Sequence, residues 1–398
     1  MKPLEGIRVI DLTQAMAAPF CTMNLADMGA EVIKIEPPGE GEQTRQLGAA
    51  NKNGHSATFM TMNRGKRGLA VDLKTPEGVE IVRKLAATAD VFVQNYRPGV
   101  VDRLGLDYPS LHKVNPRLVY CQISGFGNTG PYASRGGYDL IAQGMSGVIS
   151  VTGDEDGPPA KSGVPLADLS AGLFAAYGIL AALEHRDRTG EGQLVDTSLF
   201  EAAMALTVWE SAEYWTTGKA PRPVGSAHRN SAPYQALRAS DGYFNVGAAN
   251  DKLFAAFCAV IERKDLLSDP RFSSRSSRLQ HRKVLQDEIE SVTKKETRAA
   301  WLARLEKAGV PAGPINNYAE ALADPHALAR DMVVDLVHPG AGDIKALGVP
   351  VKLSETPGAV DRPAPLIGQH TAEILDELGY GDAERQELAK KGVVQFGV

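Results

Sequence analysis

Asp168 is the residue of this chain best suited by its surroundings to covalent chemistry. It stands in GVPLADLSAG, directly before Leu169 to Leu183, a run of fifteen residues with no charged side chain. Such a run reads as a helix buried on all sides, with Ser170, Gly172 and Gly178 letting neighbouring backbones approach closely. A carboxylate at the entrance of that helix accepts hydrogen bonds from the first free N–H groups, and the positive end of the dipole favours its ionised form. Held there, an ionised carboxylate is either a nucleophile or only a cap, and local sequence leaves both readings open. Upstream, Arg135-Gly136-Gly137-Tyr138-Asp139 is a glycine-bearing turn that sets exposed N–H groups beside a basic and a phenolic side chain. Gly153 to Pro165, rich in Gly and Pro, reads as a loop between the two, so the segment suits a site covered by a loop.

The elements that must position Asp168 follow from hydrophobic periodicity. GIRVID (Gly6 to Asp11), a helical stretch from Pro19 to Gly29, and EVIKIE (Glu31 to Glu36) make strand, helix, strand, a βαβ unit of a parallel sheet. Gly68 to Asp72 continues the pattern, followed by a helix opened by Thr75-Pro76-Glu77 and running to about Thr88, then by DVFVQ and LVYCQIS. At least five strands alternating with helices predict a doubly wound, Rossmann-like parallel α/β sheet with a smaller α+β domain. A dinucleotide site would need GxGxxG after the first strand, but that turn reads TQAMAAPF. Ligands still bind beyond the carboxyl ends of such strands, which draws Gln14 to Ala17, Pro37 and Asn95 to Gly99 to one edge.

At 398 residues the chain is longer than one core usually supports. The boundaries expected are a first part of the large domain over 1–215, a Pro/Gly-rich linker over 216–233, a small domain over 234–323, and a return over 324–398 that rejoins the large domain. A helix is expected from about Thr197 to Trp215, and Pro339 to Pro365 reads as an extended strap. The cluster Arg275, Arg278, His281, Arg282 and Lys283 reads as a solvated helix face. A net charge of −5 without a dominant basic block speaks against nucleic acid and against an anionic membrane. The fifteen-residue apolar run falls short of the ~20 residues a bilayer needs. Three scattered cysteines and no signal-like N-terminus favour a reducing, cytoplasmic setting, and eight histidines without ligand spacing give no metal site.

Taken together, the blocks GIRVIDLTQAMAAPFCTMNLADMGAEVIKIEPPGEGEQTR, NRGKRGLAVDLKTPEG, DVFVQNYRPGVVDRLGL, ISGFGNTGPYASRGGYD, GVPLADLSAG, APYQALRASDGYF, GVPAGPINN and IGQHTAEIL resemble those of the class III CoA-transferases over almost the whole chain. The resemblance implies that Asp168 is the nucleophile and that coenzyme A enters as part of an acyl-CoA substrate, with no permanently bound cofactor. CoA contacts carry over to Met16 and Ala17, to Val71 and Lys74, to Asn95, Tyr96 and Arg97, and to Arg103, Arg135 and Tyr138. The cations among them suit its phosphates, and Tyr96 suits its adenine. Gln14, Gly247 and Asn250 are expected to meet the acid substrate. The resemblance further implies an interlocked homodimer, in which the stretches at 216–233 and 339–365 thread around the partner.

Two departures narrow the expectation. Pro37 stands where some relatives have an arginine, and Gly247-Ala248-Ala249-Asn250 replaces the glycine run of the formyl-CoA transferases. The latter favours dicarboxylic acids such as succinate, glutarate or citramalate over formate or oxalate. The rival within the same fold, an α-methylacyl-CoA racemase, would have a histidine where this chain has Tyr138, and a phenol of pKa ~10 is poorly matched to proton exchange at neutral pH. A non-catalytic acyl-CoA-binding subunit, with Asp168 only capping its helix, is the alternative from another class.

Overall fold

The structure is a computed structural model and describes residues 1–48 and 50–397. Alternating β-branched residues build its main sheet. In Arg8–Leu12, Val9 faces one apolar layer while Ile10 and Leu12 face the other, and Val91, Phe92 and Val93 repeat the alternation one strand away. Six strands run parallel, in spatial order Lys66–Val71, Glu31–Glu36, Arg8–Leu12, Val91–Gln94, Val119–Ser124 and Leu194–Ser198. A seventh, Val394–Gln395, pairs antiparallel with the Lys66–Val71 edge.

One layer is packed by the helices Ala17–Asp27 and Leu166–Thr189. A Cβ at Gly172 would stand 2.5 Å from the Ala17 carbonyl oxygen, and one at Gly178 would stand 2.7 Å from Val195, so small residues do permit the close approach expected of them. Pro76–Thr88 packs the other layer, its N-terminus capped by Thr75 with Pro76 in the first turn, as the sequence pattern predicts.

The chain divides into two compact units, residues 1–148, 162–212 and 325–398 in one, residues 149–161 and 213–324 in the other. The second has its own core of Phe244, Phe254, Phe257, Trp301 and Leu305 around a three-stranded antiparallel sheet.

Several expectations are corrected. The apolar helix begins at Leu166 and continues to Thr189, longer than its uncharged run because Glu184 to Thr189 extend it with polar residues. By length and composition alone it could cross a bilayer, yet Ala167, Ala171, Ala175 and Ile179 are buried in the core. It is not buried on all sides: Leu173, Tyr177 and Leu180 are exposed on one face. The helix expected over 197–215 is two, Leu199–Ala205 and Val208–Thr217. The strap contains a strand, Gly342–Leu347, that pairs with Val333–His338. Arg278 is not solvated. It is fully buried, donates to Asp251, Ala232 and Phe272, and lies over the Phe254 ring.

Candidate active site

Strand order reverses between Arg8–Leu12 and Val91–Gln94, and at such a reversal the loops leaving the carboxyl ends part to form a crevice. Here the two loops are tied together. The Gln14 N–H donates to the Asn95 side-chain oxygen at 2.8 Å, and the Asn95 amide donates back to the Gln14 carbonyl at 2.8 Å. Ala15, next in line, has φ +61°, a left-handed conformation that non-glycine residues adopt only when held. What holds it includes Glu42, whose carboxylate accepts the Ala15 N–H at 3.1 Å.

A buried ionic cluster braces the same turn. Lys66 Nζ lies 2.7 Å from Asp11 Oδ2, and Lys34 Nζ donates to the Thr13 carbonyl at 2.7 Å, with none of Asp11, Lys34 and Lys66 exposed. Burial alone would raise the Asp11 carboxyl, but the two ammonium groups and the Thr13 and Lys66 hydrogen bonds hold it at about 2. Burial pushes Lys66 down to about 8, with Asp11 opposing and Lys34 adding to the shift.

The opposite wall is made where two backbones cross. A Cβ on Gly125 would lie 2.6 Å from the Gly137 Cα, so neither position accepts a side chain without the two backbone segments parting. Near that crossing, Arg135 stacks over the Tyr132 ring at 4.0 Å, and Asp139 opens the helix Asp139–Met145.

Asp168 completes the site, though not as the sequence reading had it. Pro165 occupies the N-cap and offers no side-chain cap, which leaves Asp168 third in the helix. Its N-terminus is served by Asp139, whose Oδ1 accepts the N–H of Ala167 at 2.9 Å and of Asp168 at 3.4 Å. Among the described residues no hydrogen-bond partner holds the half-buried Asp168 carboxylate. The expected preference for its ionised form is also overturned: burial, then the charge of Asp139, pushes the group up to about 7.

These parts line one cleft of about 430 Å³, which brings together Gln14, Met16, Ala17, Asn95, Tyr96, Arg97, Arg135, Tyr138 and Asp168. Arg97 and Arg135 are exposed at it, and Tyr96 is half-buried. Three residues expected with them do not line it. Val71 is buried at the end of its strand, and Lys74 and Arg103 lie exposed on other loops and helices. Gly247 and Asn250 belong to the second unit. Gly247 ends the strand Gly242–Gly247, and the Asn250 side chain caps the helix Asp251–Val260 by accepting the Leu253 N–H at 2.9 Å. The sequence reading missed Asp139 as the cap, the Gly125–Gly137 crossing and the Asp11–Lys34–Lys66 cluster. Only the alternation that aims Asp11 and Thr13 away from Ile10 and Leu12 hinted at the last.

Residues 4–371 match the model of CoA-transferase family III. The chain belongs to that family. As a family III CoA-transferase it is an enzyme that moves CoA from an acyl-CoA thioester to a free carboxylic acid. It is 41% identical to the succinyl-CoA:glutarate CoA-transferase of Mus musculus over 99% of this chain and 91% of that one. It is also 41% identical to the succinate–glutarate CoA-transferase of Agrobacterium fabrum, over 94% and 96%. A CAIB/BAIF family protein from Brucella suis has a crystal structure like this one, with a TM-score of 0.87 and 41% identity over 95% of this chain and 99% of that one. The cleft of this family III chain therefore lies at the reversal of its sheet, with a carboxylate left free of the helix it stands on.

Proposed function

We propose that this transferase takes CoA from succinyl-CoA, passes it through Asp168, and delivers it to a dicarboxylic acid such as glutarate. The observation that carries the reading is the Asp168 carboxylate, half-buried in the cleft and without a hydrogen-bond partner among the described residues, while Asp139 caps its helix. The carboxylate attacks the thioester carbonyl, which gives an acyl-aspartyl anhydride and releases CoA thiolate. The thiolate then attacks the aspartyl carbonyl, forming an aspartyl-CoA thioester and freeing the donor acid. The acceptor carboxylate attacks this thioester, and the thiolate attacks the new acyl carbonyl, which releases the product thioester and restores the carboxylate. The overall reaction exchanges one thioester for another of similar energy through anhydrides of higher energy, so catalysis rests on holding the partners and keeping water from the activated carbonyls.

In this reading Arg97 and Arg135, both on the cleft lining, meet the CoA phosphates, Tyr96 the adenine, and Met16 and Ala17 the pantetheine. Gln14, which lines the cleft, is assigned to the acid. The dicarboxylate preference is supported by the glutarate named in both relatives. The doubly wound description is supported by the strand order, and a homodimer by Leu173, Tyr177 and Leu180, exposed on the helix that carries Asp168. Buried, unpaired Cys21, Cys121 and Cys258 suit a reducing cytoplasm.

The test is intact-protein mass spectrometry after brief mixing with succinyl-CoA, then borohydride reduction, peptide mapping, and an acceptor series of glutarate, citramalate, oxalate and formate. Asp168 reduced to its alcohol, with no adduct and no exchange in Asp168→Ala but retained CoA binding, is expected. Turnover by Asp168→Ala would remove Asp168 from the reaction. Solvent exchange of an α proton, without CoA transfer, would favour racemisation, against which the exposed phenol of Tyr138 now stands.

A further inference from the structure

A helix leaves its first N–H groups without partners inside itself, and an acidic side chain in the first turn usually turns back to take them. Asp168 does not. Asp139 reaches across from another helix and accepts the N–H groups of Ala167 and Asp168, while its second oxygen accepts the Gln143 side-chain amide at 2.7 Å. Gln143 is itself fully buried, and its own oxygen accepts the Ser162 N–H at 2.9 Å, so the Asp139 carboxylate is fixed at both oxygens and the loop before the helix is fixed with it. Two carboxylates thus stand at one helix entrance, one held by hydrogen bonds at both oxygens and one left open to the cleft.

We propose, resting on the reading of Asp168 as nucleophile, that Asp139 is a positioning residue with two roles: it caps the helix in place of Asp168, and its charge destabilises the ionised nucleophile so that acylation is favoured. The second role follows from the charges. Ionised Asp168 faces Asp139 at close quarters, whereas the aspartyl anhydride and the aspartyl-CoA thioester carry no charge on that residue, so each acylation relieves the repulsion. A carboxylate raised to about 7 is also more basic, hence a better nucleophile, than one at the ordinary value of 3.8. The other ionisable groups lining the cleft are Arg97, Arg135, Tyr96 and Tyr138, and none of them contributes to the shift, whose causes are burial first and Asp139 second. Asp139 is the second cause after burial, so removing its charge lowers the group and leaves the larger cause in place.

Asp139→Asn separates the roles, because an amide oxygen still caps but carries no charge. In the full-length enzyme, the acid limb of kcat/KM for succinyl-CoA is expected to move from near pH 7 to lower pH. The equilibrium fraction of aspartyl adduct should fall by the factor that the limb's shift corresponds to, about tenfold per pH unit, with KM within twofold of the parent. Asp139→Ala, losing both roles, should lower kcat on the order of a hundredfold with little change in KM. A purely structural cap would be fully rescued by Asn, so an Asp139→Asn enzyme with the parent's pH limb and adduct level overturns the proposal even if the Ala variant does not fold. An adduct that persists in Asp168→Ala overturns the nucleophile assignment instead, and the two failures are read from different variants.

Discussion

Replacing Asp168 by Asn should abolish exchange and at the same time make the protein more stable, and the size of the gain depends on pH. The carboxyl has its pKa raised from 3.8 to about 7 on folding, chiefly by burial and then by Asp139. A raised folded value means that the stability contribution is fully present below pH 3.8 and is lost as pH climbs toward the folded value, after which the loss is constant. Three pH units of difference correspond to roughly 4 kcal/mol lost by pH 8 and about 2 kcal/mol by pH 5. Asn, neutral at every pH, escapes this loss. For a chain of this length the gain corresponds to a melting temperature higher by roughly 5 °C at pH 8 and roughly 2 °C at pH 5. Differential scanning calorimetry of both proteins at the two pH values reads it directly. A cap would give the opposite sign, because an ionised Asp at a helix N-terminus gains from the dipole what a neutral Asn does not. An Asn variant that melts no higher at pH 8, or whose advantage does not shrink at pH 5, would refute the picture of a desolvated, unsupported carboxylate.

Two further substitutions test the frame around it. Gly137→Ala places a methyl group against the Gly125 backbone, so the crossing must open; exchange should fall at least a hundredfold while circular dichroism stays that of the parent, and near-normal turnover would mean the crossing does not shape the cleft. Asp11→Asn leaves Lys34 and Lys66 buried without their carboxylate and should cost about 3–5 kcal/mol in urea unfolding, whereas a loss under about 1 kcal/mol would show that the cluster contributes little.

The sheet was legible because its signal is local: runs such as RVIDL and EVIKIE alternate between two apolar layers, and Thr75-Pro76 marks a helix start with two residues. Val394–Gln395 was not, since two residues carry no period and their partner strand lies more than 300 positions away. The solvated reading of Arg278 failed for a related reason. Charge density along a helix says nothing of Asp251 and Phe254, which meet that guanidinium only in the folded core. The exposed face of the Leu166–Thr189 helix escaped too, because a uniformly apolar sequence has no polar stripe to mark which side remains uncovered.

The candidate site divides the same way. Asp168, the strand ends, Arg97 and Arg135 were legible as residue types in blocks, but what sets the surroundings of the aspartate is a set of relations that no spacing encodes. Its helix is capped from 29 positions upstream, and that distance turns an apparent cap into a free carboxylate. The turn it faces keeps a left-handed Ala15 because Asn95 and Glu42 grip it from two other loops, over a lysine pair that shares one aspartate. Strain and unpaired charge of this kind would be shed by any chain selected for stability alone. Here they are concentrated on the lining and the floor of one cleft, which is the physical reason for placing the chemistry there and not at the larger opening of about 960 Å³ lined by Arg8, Glu31, Arg67 and Lys2, whose charges are already matched in pairs.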